Sequence, residues 1–100
     1  MTVYILGTLT DGWSTSIYNR EIKYHEGENV HPSPERESRD IWGIGFQLAR
    51  TMGGALYYMP GAKEFYLATE IGEILGSDGT KIRTDRCVLK KIPLEIIDDY

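Results

Sequence analysis

Residues 42–60, WGIGFQLARTMGGALYYMP, decide what kind of domain the chain makes. They hold four glycines, an apolar run, paired tyrosines and a proline stop. The stretch DIWGIGF, residues 40–46, reads as a strand. From there apolar residues recur at Leu48, Met52, Ala55, Leu56 and Met59, the spacing of an amphipathic helix. One main helix is therefore expected at about residues 47–59, ended by Pro60 and Gly61. Gly53 and Gly54 each weaken its middle by roughly 1 kcal/mol against alanine, so close packing on a sheet is their expected use. Gly43 and Gly45 imitate the opening of a dinucleotide loop. That fingerprint needs a third glycine three residues after the second, and Leu48 stands there. The glycines are expected at a strand end, passing the backbone closely into the helix.

Working outward, residues 2–9, TVYILGTL, alternate as a strand covered on both faces. Thr10-Asp11-Gly12-Trp13 is a turn. Residues 14–19, STSIYN, read as a strand or an irregular return, and REIKYHEG, residues 20–27, as a half-exposed strand. Residues 26–40 carry two prolines, five carboxylates and two arginines and read as a long charged loop, a connector or a contact surface. KEFYLATEIGEI, residues 63–74, is the clearest strand. GSDG, residues 76–79, is a turn. In KIRTDRCVLKKIP, residues 81–93, the apolar phase slips between Ile82 and the Cys87/Leu89 pair, which predicts a bulge near Asp85. LEIIDDY, residues 94–100, is a short terminal turn or edge strand. The fold class is α+β, a mostly antiparallel sheet with one principal helix, in a single domain over residues 1–100.

The totals narrow the function classes. One hundred residues suit one core that buries roughly 60–70% of the unfolded surface. Net charge is −4, so a global basic footprint for nucleic acid is missing, and the acidic balance suits solubility or a basic partner. Nucleic acid is expected, if at all, only at the local basic strand of residues 81–91. Cys87 is the single cysteine, which excludes an intramolecular disulfide and four-cysteine zinc sites. No secretory signal or membrane span is legible, so a soluble chain in a reducing cytoplasm is expected, with no membrane contact.

Residue chemistry offers few complete sets. His25 and His31, with Glu26 and Glu28, match no helical zinc spacing and read as exposed loop histidines. No metal or other cofactor is expected. Serines 14, 16, 33 and 38 lie in polar turns, and Cys87 reads as a small core residue. Lys81, Arg83, Arg86, Lys90 and Lys91 face Asp85 alone. Alternation turns Lys81 and Arg83 outward, either as a charged edge that blocks sheet pairing or as an anion contact, with Arg50 and Lys63 if they converge.

From WGIGFQLARTMGGALYYMPG through KEFYLATEIGEI the chain resembles a family of small phage and prophage proteins. In these, a glycine–apolar–histidine strand end precedes a short helix ending in tyrosine, a strand of FYLVE type, a Gly-Glu-Ile turn and a Lys/Arg-rich strand. The resemblance covers roughly residues 18–92, IYNREIKYHEGENVHP included, with Gln47 at the histidine position. It implies a mobile-element protein in a bacterial or archaeal cytoplasm. GIGFQLA, ALYY and YLATEIGEI are also remotely similar, in order, to the NAD-binding core of ADP-ribosyltransferases. There Gln47 stands at the active-site tyrosine, Leu6-Gly7-Thr8 at a His-Gly-Thr, and Glu70 and Glu95 are nominal catalytic positions. An amide neither stacks like tyrosine nor titrates like histidine.

The expected function is a non-catalytic acidic binding module of a mobile element, masking or inhibiting a host or viral protein, a defence component among the candidates. Its partner-contact loop would use Glu26, Glu28, Glu35, Glu37 and Asp40, with Gln47, Arg50, Tyr57, Tyr58, Arg83 and Arg86 as binding residues and no catalytic residue. The alternatives are a small ADP-ribosyltransferase-like or nucleotide-binding enzyme with a degenerate site, and a homodimer formed through exposed edge strands.

Overall fold

Alternation along each strand sets what goes inside. The computed structural model describes residues 3–9, 13–16 and 20–99, with side chains at all of these except 13–16, 20–21 and 98–99. Its strands are β1 (Tyr4–Thr8), β2 (Trp13–Ser16), β3 (Arg20–Lys23), β4 (Gly27–Val30), β5 (Phe46–Ala49), β6 (Glu64–Thr69), β7 (Ile74–Ser77), β8 (Lys81–Thr84) and β9 (Arg86–Lys91). One helix, α1 (Met52–Tyr58), follows β5, and a 3-10 helix spans Leu94–Asp99. The expected turn at residues 10–12 and the return through residues 17–19 lie outside the described residues. The fold class is α+β with antiparallel pairing throughout, as the sequence predicts, and richer in strand than in helix.

The main sheet runs β4-β9-β6-β1-β5-β8-β7, and β2 and β3 pair separately. Only Asp85 separates β8 from β9, yet they stand four places apart in that order. In a flat sheet four places span about 19 Å, whereas two residues of chain reach about 7 Å. The sheet therefore curls round on itself, and the β8–β9 run joins its two sides. The phase slip read near Asp85 falls at this joint, but it is a break between two strands and not the bulge expected within one: Ile82 and Thr84 are buried before it, Cys87 and Leu89 after it.

The concave face holds Tyr4, Leu6, Phe46, Leu48, Tyr66, Ala68, Ile82, Cys87 and Leu89, with Tyr24 packed against Phe46. The convex face carries a smaller core, where Ile5, Ala49 and Phe65 meet Ala55 of α1 and Ile92. Burial on both faces explains why the central strand β1 is apolar or small at every position.

Three further expectations are corrected. The helix does not span residues 47–59: Phe46–Ala49 is a strand, and the helix begins at Met52. Thr51 is extended and its Oγ1 accepts from the Gly54 N–H at 3.0 Å, the bond of an N-cap, so the helix cannot start earlier. Leu48 fitted the helical stripe only because β5 also turns it inward. Residues 40–45 are turns and not a strand, for a reason given below. The loop expected at residues 26–40 opens with an edge strand, β4, whose inward Asn29 donates to the His25 and Gly27 carbonyls.

Leu48 is fully buried on the concave face. Leu48→Ala should cost about 2–5 kcal/mol, read as a lower urea midpoint, whereas a change at the exposed Leu56 should move it little.

Candidate functional site

On the convex side, β5 and β8 put Gln47 opposite Arg83 and Ala49 opposite Lys81. Alternation does turn Lys81 and Arg83 outward, to the convex side of the sheet, as predicted, but not into water: they are 2% and 0% exposed. The loop over residues 31–45 and helix α1 cover them.

Arg83 organises that cover. Its guanidinium donates Nε to Asp40 O (2.8 Å), Nη1 to Glu35 O (2.7 Å) and Ile44 O (2.8 Å), and Nη2 to Ser38 O (2.8 Å) and Leu75 O (3.3 Å). Five carbonyls meet the five N–H groups an arginine owns. Burial lowers its pKa, against the nearby charges of Glu35 and Asp40, yet an arginine stays charged. A cation that donates inward forces the loop carbonyls to turn toward it, so residues 40–45 cannot run as a strand. The glycines follow from the same contact. A Cβ on Gly43 would lie 2.9 Å from Arg83 Cζ, and one on Gly45 2.9 Å from Arg83 Cγ. Gly76 gives the loop its seat: a Cβ there would lie 3.0 Å from the Arg39 and Asp40 carbonyls.

Beside this lies a second cation in a different setting. The Lys81 ammonium sits 3.3 Å from the Trp42 ring centroid and 4.1 Å from that of Tyr58, and donates to Gln47 Oε1 at 2.8 Å. The Gln47 amide nitrogen donates to Ile41 O at 2.8 Å. Trp42 and Tyr58 meet at 68°, centroids 6.2 Å apart, and Tyr57 stands edge-on to Tyr58 at 5.1 Å. Asp78 Oδ1 accepts from the N–H groups of Thr80 and Lys81 and from the Thr80 hydroxyl, and the Thr80 bonds hold its pKa below the usual carboxylate value. With the Thr80 proton so used, the Tyr58 hydroxyl donates to Thr80 Oγ1 at 2.7 Å. Arg50 closes the turn, donating to Asp78 O and Ser77 Oγ. Burial pushes the Lys81 amine down to about 8, against the attraction of Asp78. The ring faces also favour the charged form, so the cluster holds a cation at neutral pH.

Of the predicted binding residues, Gln47, Arg50, Tyr57 and Tyr58 thus gather at the β7–β8 turn. Arg83 is an internal anchor with its donors engaged, and Arg86 lies across the Asp85 joint, paired with Glu28 at 2.6 Å. Trp42, at the centre of the cluster, was not among the sequence candidates for a binding site, and Lys81 was read there only as a charged edge or an anion contact. The signal for Lys81 was its outward position on a strand flanked by a turn; the signal for Trp42 was an aromatic between polar and glycine residues. The contact-loop carboxylates are all exposed: Glu26 accepts from Lys91 N, Glu28 is paired with Arg86, and Asp40 accepts from the Trp42 N–H. The loop itself is fastened: Arg36 bridges Glu73 and Asp85, and Arg39 donates to Ile74 O. His25 is exposed as expected, but His31 is half-buried edge-on to Phe46, accepts from Ser33 N–H, and is held below its usual pKa by burial. Cys87 is buried, which pushes its thiol up to about 12. Among the described residues, no group of three or more His, Cys, Asp or Glu side chains is placed to hold a metal, and no helix is long and apolar enough to cross a membrane. Comparison with protein-family models, curated proteins and solved structures finds no match.

Removing Arg83 leaves its carbonyls buried without donors. Arg83→Met should lose about 1–3 kcal/mol in urea unfolding for each carbonyl that stays buried without a donor. Arg83→Lys, with a compact ammonium in place of the fork, should recover only part of this. Hydrogen exchange should locate the loss first at the amides of residues 35–44.

Lys81 gives a pH dependence of definite sign. An unfolded lysine titrates near about 10.4, so between about pH 8 and about pH 10.4 the unfolded chain binds the extra proton and stability rises with pH. Buried Cys87 and Tyr24, both raised by burial, act in the opposite sense at alkaline pH. The stability difference between the wild type and Lys81→Met isolates the lysine, and it should grow in favour of the wild type across that window.

Proposed function

We propose that the chain is a non-catalytic binding module that docks on a protein partner through the face made by Trp42, Tyr57 and Tyr58. The observation that carries this reading is the exposure of large aromatic rings on a rigid base. Tyr57 is 77% exposed and Trp42 38% exposed, while the turn and loop beneath them are fixed by Arg83, Asp78 and Lys81. Aromatic anchors held in one conformation lose little entropy on binding and dominate protein interfaces. The neighbouring carboxylates of Glu35, Glu37 and Asp40 suit a basic rim on the partner, which sets register and association rate more than affinity.

In the setting that the phage-type resemblance implies, that partner is a host or viral protein in a bacterial or archaeal cytoplasm, and covering its surface is the inhibitory act. The nucleotide-processing alternative has less support, because Gln47 and Arg83, two of the residues it would use, are engaged within the chain.

Capture from a host lysate tests the reading. The wild type should recover one dominant partner. Tyr57→Ala or Trp42→Ala should weaken that complex by about 2 kcal/mol or more, roughly thirtyfold. Glu37→Lys should chiefly slow association and reduce its salt dependence. Capture unchanged by Tyr57→Ala would remove the aromatic face from the interface.

A further inference from the structure

We infer that the space between the Trp42 and Tyr58 rings, floored by the Gln47 amide, is a cage for a quaternary ammonium group, which Lys81 fills from within when no such group is bound. The inference uses two rings of the proposed contact face but does not require that face to bind a protein.

The argument starts from the shape. Two rings inclined at 68°, with centroids 6.2 Å apart, both turn toward one cation at 3.3 and 4.1 Å. Facing rings of this kind attract a cation through their quadrupoles and are the usual receptor for quaternary ammonium groups. The present occupant fits them imperfectly. A primary ammonium is strongly hydrated and carries three N–H donors, and stripping its water is costly. Burial accordingly lowers the Lys81 pKa, against the attraction of Asp78. A quaternary cation carries no N–H, needs no acceptor, and has a weaker hold on water.

The cage also has an exit for its occupant. Lys81 is the first residue of β8, beside the exposed turn of residues 78–80, so its flexible stem can carry the ammonium into water while the strand stays paired. Trp42 rides on the turns of residues 41–45 with one side exposed. A bulkier cation needs a wider gap, and the attraction persists to about 6 Å from a ring centroid. The shared chemistry, a trimethylated nitrogen, occurs on a methylated lysine of a protein and on a choline headgroup.

The probe is tetramethylammonium, followed by the Trp42 indole N–H resonance. The wild type should bind weakly, and Lys81→Ala, which vacates the cage, should bind about tenfold more tightly. Lys81→Met, which plugs it with an uncharged chain, should not gain, and Tyr58→Ala, which removes the second ring and keeps the Trp42 signal, should lose binding. A measurement on the wild type alone guards against misfolding of the variants. Raising pH from about 7 to about 9.5 neutralises Lys81 and should tighten tetramethylammonium binding several-fold. No Trp42 shift in Lys81→Ala, with no pH effect in the wild type, would overturn the cage. Free trimethyl-lysine and phosphocholine form the remaining arms: tighter binding of the first assigns a methylated protein, of the second a lipid headgroup. Equal binding of trimethyl-lysine and unmethylated lysine would also overturn the inference. Lys81→Ala should gain tetramethylammonium whether or not a partner is captured, and Tyr57→Ala should weaken capture whether or not tetramethylammonium binds, so the two readings fail separately.

Discussion

A buried guanidinium with a carbonyl on every N–H is the constraint to which the outer half of this molecule conforms. Arg83 reaches out of β8 and gathers carbonyls from Glu35, Ser38, Asp40, Ile44 and Leu75. Burying one charge in this way is costly in isolation. What it gives is definition: a stretch rich in proline, glycine and charge acquires a single path. That path places Trp42 over Lys81. Loop, ring and cage thus inherit their positions from one side chain.

Underneath, the curled sheet sorts residues by parity. Even positions of β1, β5, β6 and β8 face the concave core, and odd positions of β9 do so after the joint at Asp85. Asp85 holds the joint from both sides. Burial works to raise its pKa, but the bonds from Arg36 and from Glu73 N–H prevail and keep it a carboxylate. Among the described residues, no buried side-chain nitrogen or oxygen lacks a partner, the condition under which so polar an outer layer can be buried at all.

Much of the fold was legible because alternation is a local signal. The strands around residues 4–8, 64–69 and 81–91, the phase slip at Asp85 and the buried Cys87 all came from period two. The segment of residues 46–49 was misread because an inward Leu48 also satisfies a helical stripe, and only the capping bond at Thr51 separates the two. The strand at Gly27–Val30 was missed because its pairing is made by backbone while its side chains are mostly polar. The candidate site was half legible. Gln47, Arg50, Tyr57 and Tyr58 could be picked out as polar-tipped or aromatic residues near one segment. Arg83 and Lys81 could not be placed, since a cation on the outward face of a strand looks solvated until the loop that covers it, some forty residues earlier in the chain, is folded over it.

The one-residue joint at Asp85 also shapes how the molecule comes into being. β9 pairs Leu89 with Gly27 and Ala68, while β8 pairs Ile82 with Leu48. A single late segment therefore completes both sides of the sheet, and neither side is finished before it arrives. Closure of this kind sets contacts between distant parts of the chain ahead of any reward from local ones, the circumstance that slows folding of β-rich domains.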